Sequence, residues 1–309
     1  MEFFTQLLIA TIEMGTPLLF ASLGGVLSER AGVINLGMEG LMLVGALVGF
    51  VVMLETGSFL LALAAAAVLA GVVTVVHGLV CLVLRANQIA SGLALTLFGT
   101  GLSGLFGNTL VGKTFEALGP LPIPGLSAIP VIGPALFARD PLVYFSYALV
   151  AVLAYVFYRT RVGLTIRSMG EAPEVCDSLG LSVIGWRFGC LVVGGMLIGI
   201  GGAYFSLVLN PFWVDNITAG RGWIAVGLVI FAFWDPVRAV FGAYLFGLAI
   251  ALELRLQLLG VTLSPYLLKM LPYLLTIFVL TLVTVRNTRL GIQVMPAALG
   301  RVFFRGEKH

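Results

Sequence analysis

Runs of about 20 mostly apolar residues follow one another along almost the whole chain, with only short polar breaks between them. An α-helix of about 20 apolar residues crosses the roughly 30 Å hydrocarbon core of a bilayer. Hydrophobic residues make up 60% of the sequence and charged residues 10%, whereas soluble domains have about 25% charged residues. The sequence therefore predicts an all-α polytopic transmembrane helical bundle, formed by a single domain over residues 1–309.

About nine membrane spans are predicted from the apolar segments. They cover residues 3–27, 31–54, 58–84, 87–108, 141–158, 187–209, 222–234, 237–256 and 265–285. The seventh is short because Asp235-Pro236 ends it. The first has no basic start and no small-residue cleavage site, so we expect a retained helix rather than a signal peptide.

The positions of lysine and arginine predict the orientation, since both residues are enriched in cytoplasmic loops. Two groups of them stand out, in residues 159–187 and in the tail, residues 286–309. We expect both segments to be cytoplasmic, and the four predicted spans between them agree with that. Counting back places the amino terminus outside. The longest outer segment, residues 109–139, contains five prolines and is predicted to be an ordered surface loop.

Two stretches match nucleotide-binding patterns but lack the surroundings that such sites need. Residues 107–114 match G-x-x-x-x-G-K-[ST], and residues 99–104 match G-x-G-x-x-G. Both patterns act between a strand and a helix, whereas here an apolar span precedes them and a proline-rich segment follows. We interpret the glycines instead as seams where helices pack closely. These are Gly92, Gly99, Gly101 and Gly104, and Gly195 with Gly199.

Polar residues at the starts of two spans are the candidates for a transport path. Asn35 and Glu39 lie four residues apart, hence on one face of the second span. Asn87, Gln88 and Ser91 begin the fourth span. Polar groups at membrane depth are costly unless paired or hydrated, and the glycines around Asn35 favour a broken helix, which usually lines a cavity.

A structural role is the alternative for Glu39, and direct contact with substrate is the less favoured of the two. Its carboxylate could cap a neighbouring helix or pair with an arginine such as Arg30. His77, in the third span, is more often a hydrogen-bonded packing residue than a ligand.

No metal site, cofactor or catalytic residue is predicted. The cysteines at 81, 176 and 190 have no ligand spacing and are expected to be small apolar fillers. A net charge of +3 does not indicate nucleic acid as a partner. Ionisable residues at membrane depth are scattered, which disfavours a stand-alone secondary transporter or channel and also a lipid-modifying enzyme.

Residues 171–180 are predicted to form a short amphipathic helix within the cytoplasmic segment. Pro173 suits its first turn, Glu174 its positive end and Gly180 its stop. One face carries Val175, Cys176 and Leu179, which could offer an apolar patch to a soluble partner. A plain amphipathic linker is the alternative.

Three stretches taken together carry a family resemblance. They are Gly-Val-Ile-Asn-Leu-Gly-Met-Glu-Gly at 32–40, Arg-Ser-Met-Gly-Glu-Ala-Pro-Glu-Val-Cys-Asp-Ser-Leu-Gly at 167–180, and Gly-Arg-Gly-Trp-Ile-Ala-Val-Gly-Leu-Val-Ile-Phe at 220–231. The chain resembles the permease family of ribose, branched-chain amino acid and nucleoside ABC importers. The first stretch is most similar to the nucleoside and simple-sugar branch.

The resemblance implies a transport subunit of the bacterial inner membrane that is not itself an enzyme. It implies a second permease chain, identical or related, two cytoplasmic ABC ATPases that hydrolyse ATP, and an extracytoplasmic solute-binding protein. The substrate would be a small uncharged solute, a nucleoside first and a simple sugar second. The ATPase-coupling loop would contain Glu171, Pro173, Glu174, Asp177, Leu179 and Gly180.

Overall fold

The computed structural model describes residues 2–258, 267, 270–290 and 295–304. Helices dominate this part of the chain. In chain order they are α1 (Glu2–Arg30), α2 (Met38–Thr56), α3 (Phe59–Gly78), α4 (Gln88–Gly107), α5 (Ile132–Leu136), α6 (Pro141–Arg159), α7 (Arg161–Glu171), α8 (Pro173–Ser178), α9 (Val183–Tyr204), α10 (Arg221–Phe231), α11 (Pro236–Leu258) and α12 (Leu271–Leu290). One π-helical turn extends α3 over Leu79–Val83 and another extends α9 over Phe205–Leu209.

Seven helices of the described part are long and apolar enough to cross a membrane. They are α1, α2, α3 with its extension, α4, α6, α9 with its extension, and α11. The all-α polytopic class is thus confirmed, but the predicted count of nine is not. The predicted seventh span contains only the 11-residue α10, and the predicted ninth, 265–285, begins in residues that the structure does not describe.

The bundle is built around α1, α2 and α9, whose apolar side chains form the buried core. Helix α1 packs along α9 and α11, and α2 packs against α3, α4 and α9. Glycines allow the closest approaches: a Cβ atom added at Gly45 would overlap the backbone of Gly199, and one at Gly202 would overlap Met42. Small residues therefore bring α2 and α9 into backbone contact, as expected in lipid.

The predicted glycine seams are correct in part. Gly195 and Gly199 pack on α3, Gly92 packs on Leu36 and Gly99 on Gly40. Gly101 and Gly104 do not belong to a seam, because an added Cβ atom there would meet no described atom within 4 Å. Residues 92 and 99 are about two helical turns apart and share a face. Residues 101 and 104 lie on another face of α4, and the sequence pattern of small residues does not distinguish the two faces.

The proline-rich segment 109–139 is an ordered loop without a long helix, as predicted. Two short antiparallel strands, β1 (Leu121–Pro122) and β2 (Ala138–Arg139), close it. The Arg139 guanidinium forms an ion pair of 2.7 Å with Glu13 of α1. Because residues 99–104 lie inside the continuous helix α4, the structure also lacks the strand–helix setting of a dinucleotide site there.

Several segments of the chain meet at one end of the bundle, which is here named the arginine face. They are the end of α1, the segment before α4, helices α7 and α8, and the turn between α10 and α11. The Trp234 indole N–H donates to the Glu29 carboxylate at 2.6 Å, and Tyr158 donates to Asp235. The Arg85 guanidinium lies 4.6 Å from the ring centre of Phe304. These contacts fix the end of α10 and the chain segment 295–304, here named the docked tail, against this face.

Candidate translocation cavity

Glu39 holds the start of α10. Its Oε1 accepts hydrogen bonds from the Thr218 hydroxyl at 2.5 Å and the Gly220 N–H at 2.9 Å, and its Oε2 accepts one from the Gly222 N–H at 2.6 Å. Gly220 and Gly222 occupy the cap and second positions of α10. A carboxylate there satisfies N–H groups that have no partner within the helix, and it faces the positive end of the helix dipole.

The start of α10 lies deep in the bundle. Eleven residues with a rise of about 1.5 Å each give α10 a length of about 17 Å, roughly half of a 30 Å hydrocarbon core. Its other end, followed by Trp234, is held at the arginine face by Glu29. Glu39 is only 4% exposed. Helix α10 is therefore a half-helix that begins in the buried interior of the bundle, where the Glu39 carboxylate supplies acceptors that apolar side chains and lipid cannot.

A cavity of about 430 Å³ lies beside this helix start, within the range of about 300–1,000 Å³ for small-molecule sites. Helix α2 contributes Glu39 and Leu43, and α4 contributes Thr96, Thr100, Ser103 and Gly104. The remaining wall consists of Asp215, Asn216, Gly220 and Trp223. Hydroxyl, amide and carboxylate groups beside an indole ring can bind a polar, uncharged molecule through hydrogen bonds and ring contacts.

The chain between α1 and α2, residues 31–37, is not helical and is here named the break. It is held by Gln88, His77 and Ser91, which do not border the cavity beside α10. The Ile34 N–H donates to Gln88 Oε1 at 2.8 Å. The His77 Nε2 lies 3.1 Å from the Ile34 carbonyl oxygen, and its Nδ1 lies 2.8 Å from the Ser91 hydroxyl. A neutral imidazole ring can donate from Nε2 to the Ile34 carbonyl and accept at Nδ1 from the Ser91 hydroxyl, so that His77, Ile34 and Ser91 all have a partner. His77 is thus a hydrogen-bonded packing residue.

Asn35 and Asn87 use their side chains on nearby backbone. Asn35 is fully buried, and its Oδ1 accepts from the Gly37 N–H at 2.9 Å. Asn87 caps α4 by accepting from the Ala90 N–H at 3.0 Å. Of the five predicted path residues, Glu39 borders the cavity beside α10, and Ser91 borders a separate, mostly apolar cavity of about 430 Å³ between α3 and α4. A path role for Asn35, Asn87, Gln88 and Ser91 stays a prediction.

Other residues that line the cavity were not singled out from the sequence. Thr96, Thr100 and Ser103 follow at intervals of four and three residues, so a hydroxyl-bearing face of α4 could have been recognised. Asp215 and Asn216 lie between two predicted spans, where no pattern assigns them membrane depth. Within the described residues, no group of three or more His, Cys, Asp or Glu could hold a metal ion.

The short helix predicted for residues 171–180 is present as α8 (Pro173–Ser178), and α7 precedes it as an unpredicted second helix on the same face. Leu179 is 75% exposed and Val175 58%, whereas Cys176 is buried against Met169 and Val183. Burial raises the pKa of the Cys176 thiol above its usual range, so the thiol remains protonated at neutral pH. The exposed apolar patch is therefore Val175 and Leu179, without Cys176.

The remaining residues of the predicted coupling loop shape this helix. Pro173 is buried in its first turn, and Glu174 is exposed beside it. Gly180 has a φ of +80° after the helix end. The Glu171 carboxylate accepts a hydrogen bond of 3.2 Å from the Ala297 N–H of the docked tail.

Comparison with known proteins assigns the chain to a family. Residues 7–280 match the model of the branched-chain amino acid transport system / permease component. The chain belongs to this permease family. A putative glucose ABC transporter permease, TsgC13 of Haloferax volcanii, is 40% identical over 97% of both chains. The nucleoside ABC transporter permease NupC of Lactococcus lactis is 35% identical over 90% of this chain and 92% of its own length.

A third relative is the guanosine ABC transporter permease NupQ of Bacillus subtilis, which is 32% identical over 88% of this chain and 90% of its own length. No solved structure shows a significant match. The predicted ABC permease function is confirmed by the family and by these three relatives. The permease is a multi-pass membrane protein.

Proposed function

We propose that this permease forms the membrane path of an ATP-driven importer for a nucleoside or a simple sugar, and that the 430 Å³ cavity is part of that path. The observation that carries the proposal is the wall of Thr96, Thr100, Asn216 and Trp223 beside the buried start of α10. Sugar and nucleoside hydroxyls can exchange hydrogen bonds with such groups. The relatives named for glucose, nucleosides and guanosine support this class of solute.

The arginine face is cytoplasmic in this proposal, following the bias of arginine toward that side. Helix α8 then meets an ABC ATPase on a separate chain through Val175 and Leu179. A second permease chain and an external solute-binding protein complete the importer. ATP binding shifts the balance between inward-facing and outward-facing states, so the permease itself performs no bond chemistry.

Affinity purification tests the ATPase partner. The tagged chain is isolated from its native membrane in mild detergent, and the proteins that accompany it are identified by mass spectrometry. We expect an ABC ATPase with the unaltered chain and its loss with the double variant Glu174→Lys, Asp177→Lys. Two added lysine charges beside the exposed Val175 and Leu179 oppose docking, because burying a charge without a partner is costly.

The matched control is Glu55→Lys with Glu116→Lys, which makes the same charge change at exposed residues away from α8. This control should retain the ATPase. An intact, correctly folded chain that brings down no ATPase, yet transports solute along an ion gradient, would contradict the proposed ATPase partner.

The cavity wall is tested by Thr100→Val, which removes a hydroxyl but keeps the shape of the side chain. Thr100 is exposed to the cavity, and its hydroxyl donates to the Thr96 carbonyl oxygen at 2.9 Å while its lone pairs remain available. A hydrogen bond of about 1 kcal/mol corresponds to a roughly fivefold change. We expect the initial rate of ATP-driven uptake in proteoliposomes to fall by about that factor.

Thr56→Val is the control, because its hydroxyl makes the same kind of bond to Val52 at the exposed end of α2. Its uptake rate should not change. Equal uptake by the two variants would exclude Thr100 from the path. Competition by unlabelled guanosine and by glucose, measured on the unaltered protein, then separates the nucleoside from the sugar.

A further inference from the structure

Arg187, near the start of α9, joins three separate segments of the chain. Its guanidinium donates from Nε to the Ala31 carbonyl, from Nη2 to the Met169 carbonyl and from Nη1 to the Arg301 carbonyl, each at 3.1 Å. Ala31 begins the break between α1 and α2, Met169 belongs to α7, and Arg301 belongs to the docked tail. A side chain of this size that is only 1% exposed has a fixed place in the fold.

The chemistry of this contact favours arginine specifically. All three acceptors are neutral backbone carbonyls, so the geometry of the donors rather than a charge pair holds the segments together. A planar guanidinium presents donors in several fixed directions, whereas a lysine ammonium is a compact charge on a flexible stem. Lysine therefore keeps the positive charge at position 187 but cannot bridge three carbonyls in the same way.

The docked tail connects the same segments as Arg187 through backbone hydrogen bonds. The contacts of Arg187 and of the tail are together named the Arg187 joint. The Ala298 N–H donates to the Gly170 carbonyl of α7 at 2.8 Å, and the Gly300 N–H donates to the Gly32 carbonyl of the break at 3.1 Å. Phe303 packs beside Met169 and Cys176. The tail thus connects the segment that carries α8 with the segment that leads to α2.

The break in turn leads to the cavity. Ile34 is held by Gln88 of α4, and the Leu36 carbonyl accepts from the Thr96 hydroxyl at 3.0 Å. Glu39 follows at the start of α2 and caps α10. A continuous chain of packed and hydrogen-bonded groups therefore runs from α8, through Arg187 and the tail, to the cavity wall.

We propose that Arg187 and the docked tail transmit the movement of α8 to the break before α2, and so couple ATP hydrolysis to the opening of the cavity. This inference rests on the importer function proposed above. Arg187 is a positioning residue in it, since its guanidinium contacts carbonyl groups of the permease and not the solute.

The test uses the complete transporter, with its ATPase and binding protein, reconstituted in proteoliposomes. Solute uptake and ATP hydrolysis are measured on the same preparation, with the amount of assembled complex determined by size-exclusion chromatography. For Arg187→Lys we expect ATP hydrolysis per complex to remain within twofold of the unaltered protein and uptake per ATP to fall about tenfold. Arg238→Lys, on the same face and stacked on Phe233, should leave both quantities unchanged.

A second variant acts on the tail without touching the arginine. Gly300 has a φ of +74°, and a Cβ atom added there would lie 2.7 Å from Ile34 Cδ1, so Gly300→Ala disturbs the contact between the tail and the Ile34 side chain of the break. Gly57→Ala is the matched control, because Gly57 has a φ of +63° and nothing within 4 Å of an added Cβ atom. Both variants carry similar backbone strain, but only Gly300→Ala should lower uptake per ATP.

Two results would overturn the inference. Uptake and ATP hydrolysis could fall together in proportion to the amount of assembled complex, which would mean that the joint only stabilises the fold. Alternatively, uptake per ATP could stay unchanged in Arg187→Lys and Gly300→Ala alike. Absence of ATP-driven uptake by the unaltered complex is a different result, and it would reject the importer function itself.

Discussion

Glu39→Ala is expected to destabilise the permease and to abolish uptake. The substitution leaves the Gly220 and Gly222 N–H groups and the Thr218 hydroxyl without their acceptor in the bundle interior. A buried donor without a partner costs about 1–3 kcal/mol, so we expect a loss of roughly 3 kcal/mol or more in the free energy of unfolding. Thermal unfolding in detergent and uptake in proteoliposomes measure the two effects.

Glu39→Gln should lie between the alanine variant and the unaltered protein. An amide keeps one acceptor oxygen but turns an NH₂ group toward the other donors, and it removes the negative charge from the start of α10. Glu55→Ala is the matched control, since Glu55 is an exposed carboxylate near the opposite end of α2. A Glu39→Ala protein as stable as the Glu55→Ala control would contradict the capping role.

The role of Glu39 shows how far the sequence alone could lead. A carboxylate at membrane depth, among glycines that favour a broken helix, predicted either a path residue or a cap. The structure shows that Glu39 is a cap and also places it at the edge of the cavity. Its partners Thr218, Gly220 and Gly222 lie 179 to 183 residues further along the chain. No local pattern encodes such a pairing.

The predicted bounds agree to within two residues for α3 with its extension, α4 and α6, whereas α2 begins at Met38 rather than at residue 31. Asp235-Pro236 predicts a short seventh span, and the structure has the 11-residue half-helix α10 at this position. Helix α7 was not predicted, because its amphipathic pattern lies in a polar segment where hydropathy gives no signal. The Arg187 joint was also not predictable, since backbone carbonyls of three distant segments accept its hydrogen bonds.

The cavity and the joint together suggest why the chain breaks its helices. An uninterrupted helix satisfies its own backbone groups, and it offers few of them to other segments. The break at residues 31–37 exposes the Ala31, Gly32 and Ile34 carbonyls to partners from α9, the tail and α3. In the importer proposed above, these side-chain and backbone contacts are remade when the permease changes between its two states.

Gly99→Val is expected to separate α4 from α2 and so to destroy the cavity wall. A Cβ atom at position 99 would overlap the backbone of Gly40, which cannot move aside by a change of rotamer. Overpacking costs about 1–3 kcal/mol and occasionally more, and a backbone obstacle places the expected loss in stability at roughly 3 kcal/mol or above. The apparent melting temperature in detergent should fall clearly, and uptake should be lost.

Gly101→Val on the same helix is the control, because an added Cβ atom there meets no described atom within 4 Å. It introduces the same β-branched residue two positions away, so the cost of helix propensity is equal in both variants. Equal melting temperatures for the two variants would show that α4 does not pack on α2 through Gly99. A loss of uptake in Gly101→Val at unchanged stability of the isolated chain would instead show that this open face of α4 is needed in the assembled transporter.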